Sequence, residues 1–72
     1  MPKLLQLKPR EVEKILARLG FMFVRQKGSH RIFVRDNIGI TVPFHNKPLK
    51  KGTLRHIVKA TGISVEEFMN FL

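Results

Sequence analysis

The 72-residue sequence predicts an α+β fold that consists of a helix, a three-stranded antiparallel sheet, a second helix and a short C-terminal helix. An apolar stripe of helical spacing opens the chain. Strand-like runs separated by turn-forming residues follow it, and two further helical stripes close it. Because a chain of this length suffices for one domain only, we expect residues 1–72 to form a single domain.

The first helix is predicted to begin at Lys8-Pro9. Pro9 suits the first helical turn, where its missing N–H costs nothing, and Glu11 and Glu13 suit the positive end of the helix dipole. The apolar stripe of this helix consists of Val12, Ile15, Leu16 and Leu19. Gly20 follows the stripe and predicts the end of the helix.

Three strand-like runs follow at residues 21–26, 31–35 and 40–44. Residues 27–29 and 36–39 separate them, and both segments are rich in residues that favour turns. Side chains alternate between the two faces of a strand, so the second run presents two sets. We expect one set to face the core, with His30 at its rim: His30, Ile32 and Val34. The set expected to face away is Arg31, Phe33 and Arg35.

The remaining chain predicts a basic loop and two helices. Thr53 is a candidate N-cap for the first of them, and Gly62 predicts its end. Ser64 and Glu67 have the spacing of a capping box for the short last helix. The apolar stripes of the two helices are Leu54, Ile57 and Val58, then Val65, Phe68, Met69 and Leu72.

Charge is the strongest compositional signal. Fourteen Lys and Arg residues against five Asp and Glu residues give a formal net charge of +9. This excess predicts a polyanionic partner, most simply a nucleic acid. Membrane-surface binding is less favoured, because no separate basic amphipathic helix stands out. The absence of cysteine excludes disulfides and thiolate metal sites and fits a cytoplasmic protein.

His30 is the residue best placed for chemistry, because it follows the Gly28-Ser29 turn among lysines and arginines. Histidine has an unperturbed pKa of ~6.5 and can accept or donate a proton near neutrality. Cleavage of RNA without a metal needs such a group at the attacking 2′-hydroxyl or the leaving 5′-oxygen. Taken alone, the short Gly-Ser-His motif is more typical of an ordinary hairpin with a partly buried histidine.

The other two histidines have different prospects. His45 lies in the basic loop, where it could act as a second proton-transfer group, contact a phosphate, or simply be solvated. His56 lies off the apolar stripe of its helix, so we expect it to be exposed. Three histidines without a cysteine and without an i, i+4 pair predict no metal site.

Four segments of the chain carry a family resemblance. They are Leu19-Gly20-Phe21, Gly28-Ser29-His30 with Phe33, Val42-Pro43-Phe44-His45, and Leu49-Lys50-Lys51-Gly52-Thr53-Leu54-Arg55-His56-Ile57. In this order and spacing they resemble the HicA toxin family of mRNA interferases, over nearly the whole chain from about Lys8 to Leu72. The resemblance implies a double-stranded-RNA-binding-domain-like fold and metal-independent RNA cleavage. It also implies inhibition by a HicB antitoxin and His30 as the catalytic residue.

Basic and turn residues around His30 are the candidates for RNA contacts, with Ser29 and His45 as helpers in catalysis. Gly28 would let the backbone approach a phosphate, and the N–H groups at Gly52-Thr53 would offer a helix N-terminus to an anion. Phe33 could stack on a base or pack across the sheet. The predicted RNA-binding residues are Lys27, Gly28, Arg31, Phe33, Lys47, Lys50, Lys51 and Thr53.

Sequence and resemblance together predict an endoribonuclease toxin that cleaves mRNA without metal or cofactor, with a HicB-like antitoxin as partner and no membrane association. Two alternatives stay open. The first is a non-catalytic RNA-binding module of the double-stranded-RNA-binding type that uses the same basic surface. The second is a DNA-binding regulator with a helix-turn-helix around Gly62, which is disfavoured because an acidic helix would follow the turn.

Overall fold

The computed structural model describes residues 6–72 and shows the α+β order that the sequence predicts. Its elements in chain order are α1 (Pro9–Arg18), β1 (Met22–Lys27), β2 (His30–Arg35), β3 (Ile38–Pro43), α2 (Lys51–Thr61) and α3 (Val65–Met69). The α+β prediction is therefore confirmed. The order is also compatible with a double-stranded-RNA-binding-domain-like arrangement.

Local signals fix most of the helix ends. Gly20 lies just beyond α1 with φ 94°, and Gly62 ends α2 with φ 82°, both in the left-handed region that glycine adopts without strain. Ser64 caps α3, because its Oγ accepts the N–H of Glu67 at 3.1 Å. Within residues 6–72, no helix is long and apolar enough to cross a membrane.

The predicted start of α2 is wrong. The helix begins at Lys51 after an extended Lys50, so Thr53 lies inside the first turn and not at the N-cap. The backbone of Lys50 takes the N-cap position without a side-chain capping bond, and its carbonyl accepts the N–H of Leu54. A capping hydroxyl is therefore not what begins this helix.

The three strands form one antiparallel sheet in the order β1-β2-β3. Both turns have two residues, Gly28-Ser29 and Asp36-Asn37. Each opens in the left-handed region, with φ 60° at Gly28 and φ 53° at Asp36. Aspartate tolerates this conformation, so Asp36 and Asn37 are enough to form the second turn. As a result, β3 starts at Ile38, and the turn is shorter than the predicted residues 36–39.

The core lies between the helices and one face of the sheet. Within residues 6–72, both α1 and α2 pack mainly against β3, and β1 is the edge strand on the other side of the sheet. The edge strand exposes Met22 by 72% and contains a bulge at Val24, which interrupts regular pairing with β2. The buried core side chains are Leu7, Val12, Ile15, Leu16, Phe21, Phe33, Ile40, Val42, Leu49, Leu54, Ile57, Val58 and Phe68.

Candidate active site and nucleic-acid interface

The β1–β2 turn positions His30. His30 is the first residue of β2, pairs with Lys27 across the turn and with Pro43 on β3, and is exposed. Gln26 Nε2 donates a hydrogen bond to the Gly28 carbonyl at 2.9 Å, which closes the turn from the side of β1. His30 is therefore held on a regular strand beside a braced turn while its imidazole is accessible to a substrate.

The predicted orientation of β2 is wrong. Phe33 is 4% exposed and belongs to the core, and Arg31 forms an ion pair with Glu13 of α1, so these side chains face the helices. By alternation, His30, Ile32 and Val34 point to the opposite face, away from the packing of α1 and α2 within residues 6–72. His30 thus belongs to the open face of the sheet and not to the rim of the core.

A short hydrogen bond brings the end of β3 to the same turn. The N–H of Phe44 donates to the Ser29 carbonyl at 2.6 Å. His45 follows directly, and its Nδ1 accepts the N–H of Lys47 at 3.2 Å. We call this end of the sheet the basic end and define it by Lys27, Ser29, His30, His45 and Lys47. It gathers the predicted catalytic residue and both predicted helpers.

Arg31 is occupied within the protein. Its guanidinium carbon lies 4.5 Å from the ring centroid of Phe23 and 4.7 Å from that of Phe44, and Nε lies 3.3 Å from Glu13 Oε2. Such stacking between aromatic rings favours arginine, because its guanidinium is planar and weakly hydrated. Arg31 therefore joins the edge strand, the loop after β3 and α1.

Glu13 has a perturbed carboxyl. Burial raises the pKa of Glu13 above its ordinary value, and the positive charges of Arg31 and Arg10 oppose this effect. Desolvation of this carboxyl therefore outweighs the attraction of the two arginines. Its place at the helix-facing side separates it from the exposed His30.

Phe33 has the packing role that the sequence left open as an alternative to base stacking. Its ring meets the ring of Phe23 edge to face, with centroids 5.6 Å apart, and its side chain is buried. A buried ring has no free face for a nucleobase. Phe33 therefore stabilises the packing of the sheet in the core.

The loop lysines gather around the start of α2. Lys47, Lys50 and Lys51 line an open cleft of about 540 Å³ together with Gln6 and apolar residues of the loop and helix. Thr53 is half-buried in the first turn of α2. The structure therefore brings together three of the predicted RNA-binding lysines.

A second cleft was missed by the sequence reasoning. Lys8, Pro9 and Arg10 at the start of α1 face Phe44, His45 and Asn46 across a space of about 310 Å³. The hydrogen bond from the Leu49 N–H to the Leu7 carbonyl, at 2.8 Å, holds the two segments side by side. Of its lining residues, the sequence indicates only His45 as a site residue, and nothing in the sequence indicates that Lys8 and Arg10 lie beside it.

The arrangement supplies groups for proton transfer and for binding phosphate, namely an exposed histidine, a second histidine and several lysines at one end of the sheet. Within residues 6–72, no three histidine, aspartate or glutamate side chains cluster as metal ligands would.

Comparison with known proteins gives one family. The family model described as HicA toxin of bacterial toxin-antitoxin matches residues 9–63, from the first residue of α1 to just beyond α2. No curated protein matches the chain. The matched region contains the sheet, the turn before His30 and the basic loop, and it covers more than half of the 72 residues. The chain therefore belongs to the HicA toxin family of bacterial toxin–antitoxin systems.

Proposed function

We propose that this protein is a toxin that cleaves mRNA without a metal ion, with His30 as the catalytic residue. The observation that carries the proposal is the exposed His30 at the basic end, next to a braced turn and opposite Lys27. Membership of the HicA toxin family supports it, because the family is generally one of ribonuclease toxins.

The proposed reaction uses the 2′-hydroxyl of the RNA as the nucleophile. The 2′-oxygen forms a bond to phosphorus while the bond from phosphorus to the 5′-oxygen breaks. A base takes the 2′-hydroxyl proton, and an acid gives a proton to the leaving 5′-oxygen. The products are a 2′,3′-cyclic phosphate and a 5′-hydroxyl end. His30 performs one of the two proton transfers, and His45 or Ser29 assists the other.

Cations of the basic end and of the adjoining loop would hold the RNA backbone. Lys27 lies directly across the turn from His30, and Lys47, Lys50 and Lys51 line the cleft at the start of α2. Positive side chains near the scissile phosphate stabilise the additional negative charge of the transition state. Arg31 and Phe33 are not among the proposed RNA contacts, because the first is stacked between two rings and the second is buried.

Control of such an enzyme requires a partner that covers the basic end. A HicB-type antitoxin is the partner that family membership implies. We propose that an acidic surface of this antitoxin neutralises the toxin, since the chain carries a formal net charge of +9.

The experiment compares His30→Ala with His56→Ala, a matched control on the exposed side of α2. A defined single-stranded RNA is incubated with each protein in the presence of a chelator, and its affinity is measured in parallel. We expect His30→Ala to lower the cleavage rate by about 10²-fold or more, because a general acid or base contributes that much. RNA affinity should change little, and His56→Ala should cleave like the wild type.

Different results would assign a different function. RNA binding without cleavage by the wild type would identify a non-catalytic RNA-binding module. Cleavage that stops in the chelator would contradict metal independence. Equal rates for His30→Ala and the wild type would remove His30 from the active site.

A further inference from the structure

The cleft between the start of α1 and the loop after β3 is lined by side chains of mixed chemistry. Lys8 and Arg10 supply positive charge, Phe44 an aromatic ring, and His45 and Asn46 hydrogen-bonding groups. Its volume of about 310 Å³ is at the lower end of the range for small-ligand sites, which is about 300–1,000 Å³. A double helix would not enter such a space, whereas one unstacked nucleotide would.

The polar groups of the cleft favour hydrogen-bond acceptors on the ligand. His45 Nδ1 accepts the Lys47 N–H, so the proton of the neutral imidazole lies on Nε2, which is then a donor. Lys8 and Arg10 are donors as well. The backbone at the helix start adds little, because Pro9 has no N–H and Glu11 Oε1 accepts the Lys8 N–H at 2.9 Å. An anion in the cleft would therefore be held by side chains.

The cleft adjoins the catalytic turn. Phe44, which lines it, donates its N–H to the Ser29 carbonyl, and Ser29 precedes His30. One face of the Phe44 ring is covered by the Arg31 guanidinium at 4.7 Å, which fixes the ring beside the cleft. An RNA strand whose scissile phosphate lay at His30 would therefore have a neighbouring nucleotide near this cleft.

We infer that this cleft is a subsite for one nucleotide of a single-stranded RNA, with Lys8 and Arg10 on the phosphate and Phe44 and Asn46 around the sugar and base. The inference rests on the proposed function, since it concerns the same RNA substrate. It adds residues of α1 that neither the motifs nor the loop lysines include. An RNA ligand is favoured over a protein segment because cations, an aromatic ring and an amide together match a phosphate and a base.

The test uses the double variant Lys8→Ala/Arg10→Ala and a control of equal charge, Arg55→Ala/Lys59→Ala, on the exposed side of α2. Both are made in the His30→Ala background, so that affinity for a single-stranded RNA of about 12 nucleotides is measured without cleavage. We expect the cleft variant to bind at least about tenfold more weakly than its parent. Its salt slope, log K against log [salt], should decrease by about 0.7, which corresponds to one phosphate contact.

The outcomes separate this inference from the proposed function. If both double variants lose equal affinity, the cleft contributes only to the general positive field and the inference is wrong. If the cleft variant binds RNA normally but escapes the cognate antitoxin, the cleft is a protein-docking surface and the inference is again wrong. Cleavage by the wild type is measured in a separate assay. An inactive wild type would contradict the proposed function, whatever the affinities of the variants are. Circular dichroism confirms that each variant is folded.

Discussion

The two faces of β2 differ in what their side chains do. On the helix-facing side, Phe33 is buried, Arg31 is stacked between two rings, and Arg35 Nη1 donates to the Leu19 carbonyl at 2.6 Å. On the open side, His30 is exposed, and Ile32 and Val34 are only half-buried. One face of the strand therefore holds the fold together, and the other is available to a ligand. Positive charge alone does not mark an RNA contact.

The largest expected effect follows from removing the buried ring of that strand. Phe33→Ala should lower the free energy of unfolding by about 3–5 kcal/mol, because it deletes a core side chain and leaves a cavity. Val34→Ala, one residue along on the open face, should cost about 1 kcal/mol. Urea denaturation of both variants measures the contrast.

This contrast also tests the orientation of the strand. A larger loss for Val34→Ala than for Phe33→Ala would restore the orientation that the sequence suggested. A small domain has a stability of only about 5–15 kcal/mol, so Phe33→Ala could leave the chain unfolded. Phe33→Leu, with an expected loss of about 1–2 kcal/mol, then provides the measurable variant.

An intermediate effect is expected at the stacked arginine. Arg31→Lys keeps the charge but loses the planar group between Phe23 and Phe44, so stability should fall by about 1–2 kcal/mol. Affinity for single-stranded RNA should stay within about twofold of the wild type, because the charge is retained. Urea denaturation and fluorescence anisotropy give the two values.

Arg25→Lys is the matched control for this variant, since Arg25 is exposed on β1 and pairs with Ile32 on the other face. It should change neither stability nor affinity. A tenfold loss of RNA affinity in Arg31→Lys with unchanged stability would show that Arg31 contacts RNA, as the sequence suggested.

Local signals explain how much of the fold could be predicted. Pro9, Gly20, Gly62 and Ser64 each act on the backbone within a turn of their own position, and each marks the start or the end of a helix as predicted. The orientation of β2 could not be predicted in this way. An arginine can lie on the core side only where partners cover it, and Phe23, Phe44 and Glu13 come from three other segments.

The candidate site likewise has a part that could be predicted from local sequence and a part that depends on tertiary contacts. The turn before His30 and the lysine-rich loop are continuous in sequence, so they could be recognised there. The cleft of Lys8 and Arg10 forms only because the segment before α1 lies beside residues 44–49, where the Leu49 N–H meets the Leu7 carbonyl. No pattern within either segment predicts that contact.

The smallest expected effect concerns Glu13, the acidic partner on the helix-facing side of β2. Because burial raises its pKa above 4.5, folding takes up a proton between pH 4.5 and the folded-state pKa. The free energy of unfolding of the wild type should therefore fall, as pH rises through this window, relative to Glu13→Gln, which does not titrate. The change should stay below about 1 kcal/mol, since Arg31 and Arg10 offset part of the burial cost.

Urea denaturation of the wild type and Glu13→Gln from about pH 4 to pH 7 measures this change, with Glu66→Gln on α3 as the control. A wild type that gains stability over the variant across this range would show that attraction to Arg31 outweighs burial. The helix-facing side of β2 would then owe part of its stability to an ion pair as well as to packing.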